Sequence, residues 1–224
     1  MSGPDRLVHD WHLEERELRR HETRRGRRYA YESLEPSRTA LLVVDVVPFF
    51  AEQSPHVRGI VAPVNRLAGA LRAAGGTVAW IVPSSGDPTP WQRGFFGDEV
   101  AMLYAGSGGD GTPRERLWHE LEVAEGDVVV EKRSYGAFFP GSSDLAAQLE
   151  ARGVDTVVVT GTVTNVCVET TVREAAAAGY RVVLVADACA ANRDQDHHAT
   201  LHVVHRSFGD VRGTDEVLAL IAAG

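Results

Sequence analysis

Thr156-Val157-Val158-Val159-Thr160-Gly161-Thr162-Val163-Thr164-Asn165-Val166-Cys167-Val168-Glu169 is the stretch that decides how the chain folds. Five consecutive β-branched residues run up to a glycine, and within a few residues the pattern changes to that of a helix reaching Ala178. A strand that breaks at glycine and passes into a helix is the repeating joint of a parallel sheet covered on both faces, whose strands read as near-continuous apolar runs. Outward from this strand, placed over Thr156 to Gly161, the same pattern predicts strands over Ala40 to Asp45, Thr77 to Val82, Asp127 to Glu131 and Arg181 to Ala186, with a short one near Asp210 to Arg212. Helices are expected over Val57 to Ala74, Pro113 to Glu120, Ser143 to Arg152, Asn165 to Ala178, Gln195 to Ser207 and Thr214 to Ala222, several of them stopped by glycine. The segment Pro83 to Thr112, rich in Gly, Pro and Ser, reads as one long functional or mobile loop.

Composition narrows the function classes. A chain of 224 residues suits one α/β domain. Residues 1–37 read as a charged, partly helical extension and 38–224 as the domain. The net charge is −8; residues 1–30 hold eight arginines against six acids, which leaves 15 cations against 25 acids, or −10, on the rest. An acidic body argues against a nucleic-acid partner. Around Arg16 to Arg28 the acids Glu14, Glu15, Glu17 and Glu22 are interleaved at helical spacing, so a solvated or subunit-contacting helix is expected there. The absence of a long apolar run and of a leader-like start points to a cytoplasmic protein with no membrane partner. Cys167 and Cys189 are the two cysteines and form no metal or redox spacing, so reduced thiols are expected.

One count stands out: Lys132 is a single lysine beside 22 arginines. An ammonium kept where guanidinium is used everywhere else suggests a place that needs a compact point charge. Ligands of a parallel sheet bind outside the carboxyl ends of its strands. Asp45 ends the first predicted strand, Lys132 follows the third, and Cys167 lies on the turn into the helix after the fourth. A carboxylate, an ammonium and a thiol on one rim make a nucleophilic site. The helix N-terminus and the ammonium are expected to lower the Cys167 pKa toward the thiolate, while free N–H groups there can hold an oxyanion. An apolar pocket would raise the Asp45 pKa and Lys132 would pull it back. Cys189 lacks such partners, and core packing is expected of it. His198 and His202 stand four apart on a predicted helix as metal ligands can, in a cluster with His197 and His205, but without an intervening Glu and on an apolar-periodic helix.

These residues carry a family resemblance. The order Asp45, Lys132-x-x-x-Gly136-Ala137-Phe138, Asp144-Leu145, Val158 to Thr171, Gly179-Tyr180 and Val185-Ala186-Asp187-Ala188 resembles the isochorismatase-like cysteine hydrolases over about residues 38–222, in the branch of the N-carbamoylsarcosine amidases and ureidoacrylate amidohydrolases. The resemblance implies a three-layer α/β/α sandwich with a six-stranded, Rossmann-like parallel sheet. It implies Cys167 as nucleophile, Asp45 as general base and acid, and Lys132 as the group that favours the thiolate and orients Asp45. It further implies an oxyanion hole from the N–H groups of Val163 and Cys167, with a cis peptide at Thr162-Val163. Phe49, Phe50, Tyr135 and Phe138 would line the pocket, with Trp91 and Phe96 as covers.

The sequence also departs from the family. Where relatives commonly carry Asp-x-Gln-Asn-Asp-Phe, this chain has Asp45-Val46-Val47-Pro48-Phe49-Phe50, so polar groups around Asp45 are replaced by apolar ones. The Asp-x-His metal motif of nicotinamidases is missing after Val47, where Pro55-His56 stands alone. No catalytic zinc and no cofactor are therefore expected. The expected reaction is metal-independent cleavage of a C–N bond in a small amide, carbamoyl, ureido or lactam substrate through a thioester, by a homodimer or homotetramer. Vinyl-ether hydrolysis, which needs the carboxylate and no thiol nucleophile, and a non-catalytic binding role on the same fold are the alternatives.

Overall fold

The computed structural model describes residues 5–224. Six strands, β1 (Thr39–Val44), β2 (Thr77–Pro83), β3 (Val128–Lys132), β4 (Thr156–Thr162), β5 (Arg181–Ala190) and β6 (Asp210–Arg212), form one sheet in the order β3-β2-β1-β4-β5-β6. Every pairing is parallel. Alternate residues of β1 feed opposite layers: Leu41 and Val43 enter one core, Ala40, Leu42 and Val44 the other. The first core is closed by α3 (Pro55–Gly59), α4 (Val61–Ala73) and α10 (Thr214–Ala223). The second is closed by α7 (Leu145–Glu150), α8 (Glu169–Ala177) and α9 (Asp194–Ser207). This is the expected three-layer sandwich. The order of strands reverses between β1 and β4, which opens a crevice at their carboxyl ends.

Several boundaries differ from the sequence expectation, each for a local reason. The single helix expected over Val57 to Ala74 is two, α3 and α4, and a short α2 (Pro48–Ala51) precedes them. Pro113 to Glu120 is not a helix: Trp118 N–H donates to Val46 O at 3.0 Å instead of to its own turn, and the buried Arg116 guanidinium donates to Pro83 O at 3.1 Å. Pro83 to Thr112 holds two helices, α5 (Pro90–Phe96) and α6 (Asp98–Ala105), separated by Gly97 at φ 80°. A Thr89–Gln92 capping box with Pro90 at the first position starts α5. β5 runs on past Ala186 to Ala190, because Asp187 is held inside it by Thr214 N–H and Oγ1, both at 2.8 Å, and the sheet absorbs an irregularity between Val159 and Gly161.

The extension holds α1 (Glu15–Arg25), and its Leu18 and His21 are buried against the rest of the chain. It does not stand off as a solvated arm. Leu7 N–H donates to Pro55 O at 3.0 Å, and the N–H groups of Ala30 and Tyr31 both donate to the Asp210 carboxylate at 2.8 Å. Among the described residues no helix is long and apolar enough to cross a membrane.

Candidate active site

The three residues expected on the rim are brought together at the crevice. β1 ends at Val44, and Asp45 turns off it with φ 55°, a left-handed conformation that Asp tolerates better than most residues. Its N–H donates to Ile81 O at 2.8 Å. Next door, Gly161 has φ 112°, and a Cβ there would run into the Val44 backbone, so the glycine lets β4 lie close to the strand end that delivers Asp45. Lys132 is the last residue of β3. Cys167 lies in a π-helical turn, Thr164–Val168, that leads from β4 into α8. The Thr162-Val163 peptide is cis.

Lys132 Nζ lies 2.9 Å from Asp45 Oδ2 and 3.6 Å from Cys167 Sγ. Its aligned hydrogen bonds go to Cys167 Sγ and, at 3.0 Å, to Ser134 O, whereas both Asp45 oxygens lack an aligned donor. The contact with Asp45 is therefore an ion pair. All three side chains are buried, Asp45 and Lys132 at 1% and 3% exposure and Cys167 at 8% as a residue, which fixes the electrostatics. Burial pushes the Asp45 carboxyl above the ordinary carboxylate range, against the pull of Lys132 and Cys167. Burial by itself would depress Lys132, but Asp45 and then Cys167 carry the ammonium above its usual value. The thiol differs from expectation. Burial, reinforced by the Asp45 charge, pushes Cys167 well above its usual value, and Lys132 only offsets part of that. Burial thus favours the protonated thiol at Cys167, while Asp45 and Cys167 together favour the ammonium form of Lys132.

Residues that the sequence reading passed over hold the Lys132 segment in place. Ser134 Oγ and Ser142 Oγ both donate to Gly136 O, at 2.9 and 2.8 Å. Glu174 on α8 accepts from Phe138 N–H at 2.9 Å, and its carboxylate fills the space a Cβ on residue 136 would need. Thr171 Oγ1 accepts from Ala137 N–H at 3.3 Å. The only sequence signal for them was the helical spacing of 171 and 174 on the helix that carries Cys167.

The aromatic residues divide. Phe49 packs edge-on against Phe50 at 4.9 Å and faces Tyr104 at 6.4 Å. Phe96 meets Tyr104 at 5.3 Å, and Trp91 meets Phe96 at 5.8 Å and Tyr135 at 6.4 Å, so these rings form one continuous wall from α2 to α5 and α6. Tyr135 has its pKa raised, by burial first and by the nearby Cys167 second. Tyr104 belongs to that wall although it was not singled out. Phe138 stands apart from that wall: its ring packs on Tyr180 at 5.2 Å and against the core layer that also holds Cys167, and Glu174 fixes its backbone N–H. Cys189 is buried in β5, as expected.

The histidines gather elsewhere than the i, i+4 pair implied. His198 Nε2 contacts Asp10 O at 2.6 Å, and His205 is buried against His21 at 4.8 Å. Among the described residues, ligand atoms of His9, His56 and Asp194 lie within 4.8 Å of one another. The His9 and His56 rings there are stacked face to face, parallel and 3.9 Å apart.

Sheet and rim define the class, a doubly wound α/β protein with a thiol, a carboxylate and an ammonium at its switch point. The model of the isochorismatase domain matches residues 39–216, and the chain belongs to the isochorismatase family of hydrolases. It is 43% identical over 99 residues to the uncharacterized isochorismatase family protein YwoC of Bacillus subtilis, a match that covers 44% of this chain and 51% of that one, about half its length. The ureidoacrylate amidohydrolase RutB of Agrobacterium fabrum is 27% identical, covering 85% and 92% of the two chains. Among solved structures, a cysteine hydrolase from Pseudomonas syringae pv. phaseolicola is 30% identical with a TM-score of 0.75, over 87% and 97% of the chains.

Proposed function

We propose that the chain hydrolyses a C–N bond of a small amide, carbamoyl, ureido or lactam compound through a thioester on Cys167, without a metal. The observation that supports it is the buried ammonium of Lys132, 2.9 Å from Asp45 and 3.6 Å from Cys167. The likeness to an amidohydrolase and to a cysteine hydrolase points the same way.

The protonated thiol sets the order of events. As Sγ bonds to the substrate carbonyl carbon, its proton passes to Asp45, and the carbonyl oxygen becomes an oxyanion facing the N–H groups of Val163 and Cys167. The C–N bond then breaks, and Asp45 returns the proton to the leaving nitrogen. Water attacks the thioester with Asp45 accepting its proton, the C–S bond breaks, and that proton restores the thiol. Throughout, the Lys132 ammonium offsets whichever anion is present, sulfur or carboxylate. A guanidinium could not sit so close to both.

The test is a panel of ureido acids, carbamoyl amines, primary amides and lactams, scored for release of ammonia or amine, with mass spectrometry for an acyl adduct on Cys167. Turnover is expected to fall to background in Cys167→Ala, a loss of about 10³-fold or more. Activity that survives in this variant, on these compounds or on a vinyl ether, would sink the thiol mechanism.

A further inference from the structure

Eight of the nine histidines lie where the N-terminal extension meets the domain: His9, His12 and His21 on the extension, facing His56, His197, His198, His202 and His205. One of them reaches toward the nucleophile. His9 is 4% exposed and lies outside residues 39–216, the segment that matches the family. Its Nε2 lies 3.0 Å from Ala191 N and 3.2 Å from Ala191 O, and its Nδ1 lies 2.6 Å from Asp194 Oδ1. Both polar atoms of a buried ring are thus used, which fixes its orientation.

From there two short connections run to the turn that carries Cys167. The first passes along the backbone: Ala191 follows Ala190, which pairs with Thr162 across the sheet and accepts from Thr162 Oγ1 at 3.1 Å. The second passes through stacked rings: His9 lies on His197 with centroids 4.4 Å apart, and His197 Nδ1 is 3.0 Å from Thr164 Oγ1. Both Thr164 and His197 are fully buried, and burial with the nearby His9 and His198 holds the His197 pKa down to about 3, so that ring is neutral. Thr162 and Thr164 flank Val163, whose carbonyl accepts from the N–H groups of Val166 and Val168 on either side of Cys167, at 3.0 and 3.3 Å. A side chain of the extension therefore braces both shoulders of Val163.

We propose that His9 is a positioning residue: through Ala191 and His197 it holds the Thr162 to Val168 turn in the geometry that aims Cys167 and the N–H of Val163 at the substrate. The catalytic consequence rests on the thiol mechanism above; the bracing itself does not. It makes the extension a working part of the site, although among the described residues none of the extension bonds to Asp45, Lys132 or Cys167.

Three variants test it in the full-length protein. His9→Ala is expected to raise amide hydrogen exchange across residues 163–168 and to lower kcat by about 10²-fold with KM little changed, because a displacement near 1 Å at reacting atoms has that effect. His9→Gln, whose amide can accept from Ala191 N–H and donate to Asp194, is expected to recover most of both. Leu18→Ala, which loosens the buried face of α1 without contacting the turn, is expected to lower stability while leaving exchange at 163–168 and kcat unchanged. Wild-type exchange at 163–168 in His9→Ala overturns the proposal. So does a loss of activity that follows stability equally in His9→Ala and Leu18→Ala. If the wild-type protein cleaves none of the substrates offered, the amidohydrolase reading fails while the exchange measurement still decides whether His9 braces the turn.

Discussion

Cys167, in the turn after β4, and Cys189, near the carboxyl end of the neighbouring β5, are both buried, at 8% and 1% exposure, yet their surroundings could hardly differ more. Burial is the main force on each thiol and pushes both well above their usual pKa. Cys189 is set in β5 opposite Gly161, its Sγ 3.9 Å from Val159 O, with no cation beside it. Cys167 has an ammonium at 3.6 Å and, beside it, that ammonium's carboxylate partner Asp45, the proposed proton acceptor. What separates the proposed nucleophile from a packing residue here is not a low thiol pKa at rest. It is the presence of a base to take the proton and a cation to steady the anion that follows.

The sharpest way to break the contrast is to spoil the cation while keeping its charge. Lys132→Arg is expected to lower kcat by about 10²-fold or more, since the planar guanidinium is too large for the space between Sγ and the Asp45 carboxylate. Alkylation read by mass spectrometry supplies a measure independent of substrate. In the wild-type protein iodoacetamide should label Cys167 well ahead of Cys189; in Lys132→Arg that preference should shrink. Equal labelling of both thiols in the wild-type protein would erase the distinction.

The pH profile sharpens it further. Asp45 acts as a base only when ionised, and its pKa is raised by burial, so kcat/KM should fall as pH drops through a value above the ordinary carboxylate range of about 4. Lys132 acts only when protonated, and its pKa is raised too, so the alkaline limb should lie above the ordinary lysine range, near 10.4 for a free lysine. A site that depended on a preformed thiolate would instead lose activity as pH fell through the thiol pKa, which for an unperturbed thiol is about 8.5. An acid limb in that region would refute a reaction that starts from the protonated thiol.

How much of this was readable from residues follows from which forces are local. The strand positions and the Asp45, Lys132, Cys167 order were legible because apolar runs, glycine breaks and the ends of parallel strands are written in short windows. Helices α5 and α6 were not, because they carry exposed Trp91, Phe95 and Leu103 and show no stripe facing a core. Nor could spacing reveal that Phe138 turns to Tyr180, or that Glu174 occupies the space beside residue 136, since both depend on side chains more than 35 residues apart in sequence. The direction of the Cys167 pKa was misread for a related reason. A helix start and a lysine are visible in sequence, whereas nearly complete burial beside a carboxylate is a property of the assembled site.

The smallest expected effect lies at the other cysteine. Cys189→Ala removes a sulfur from the packed side of β5 and leaves a space that its neighbours Val159 and Gly161 fill only in part, so a loss of stability of about 1 kcal/mol is expected in urea denaturation. Turnover should stay within about twofold of wild type, because no proton or charge in the proposed reaction passes through that side chain. The two measurements must separate: stability moves and rate does not. β5 is also the strand that pairs with Thr162, so a larger fall in rate would mean that small shifts at residue 189 reach the Cys167 turn through the sheet. In that case the contrast between the two cysteines would be one of distance along a shared strand pair, and not one of chemistry.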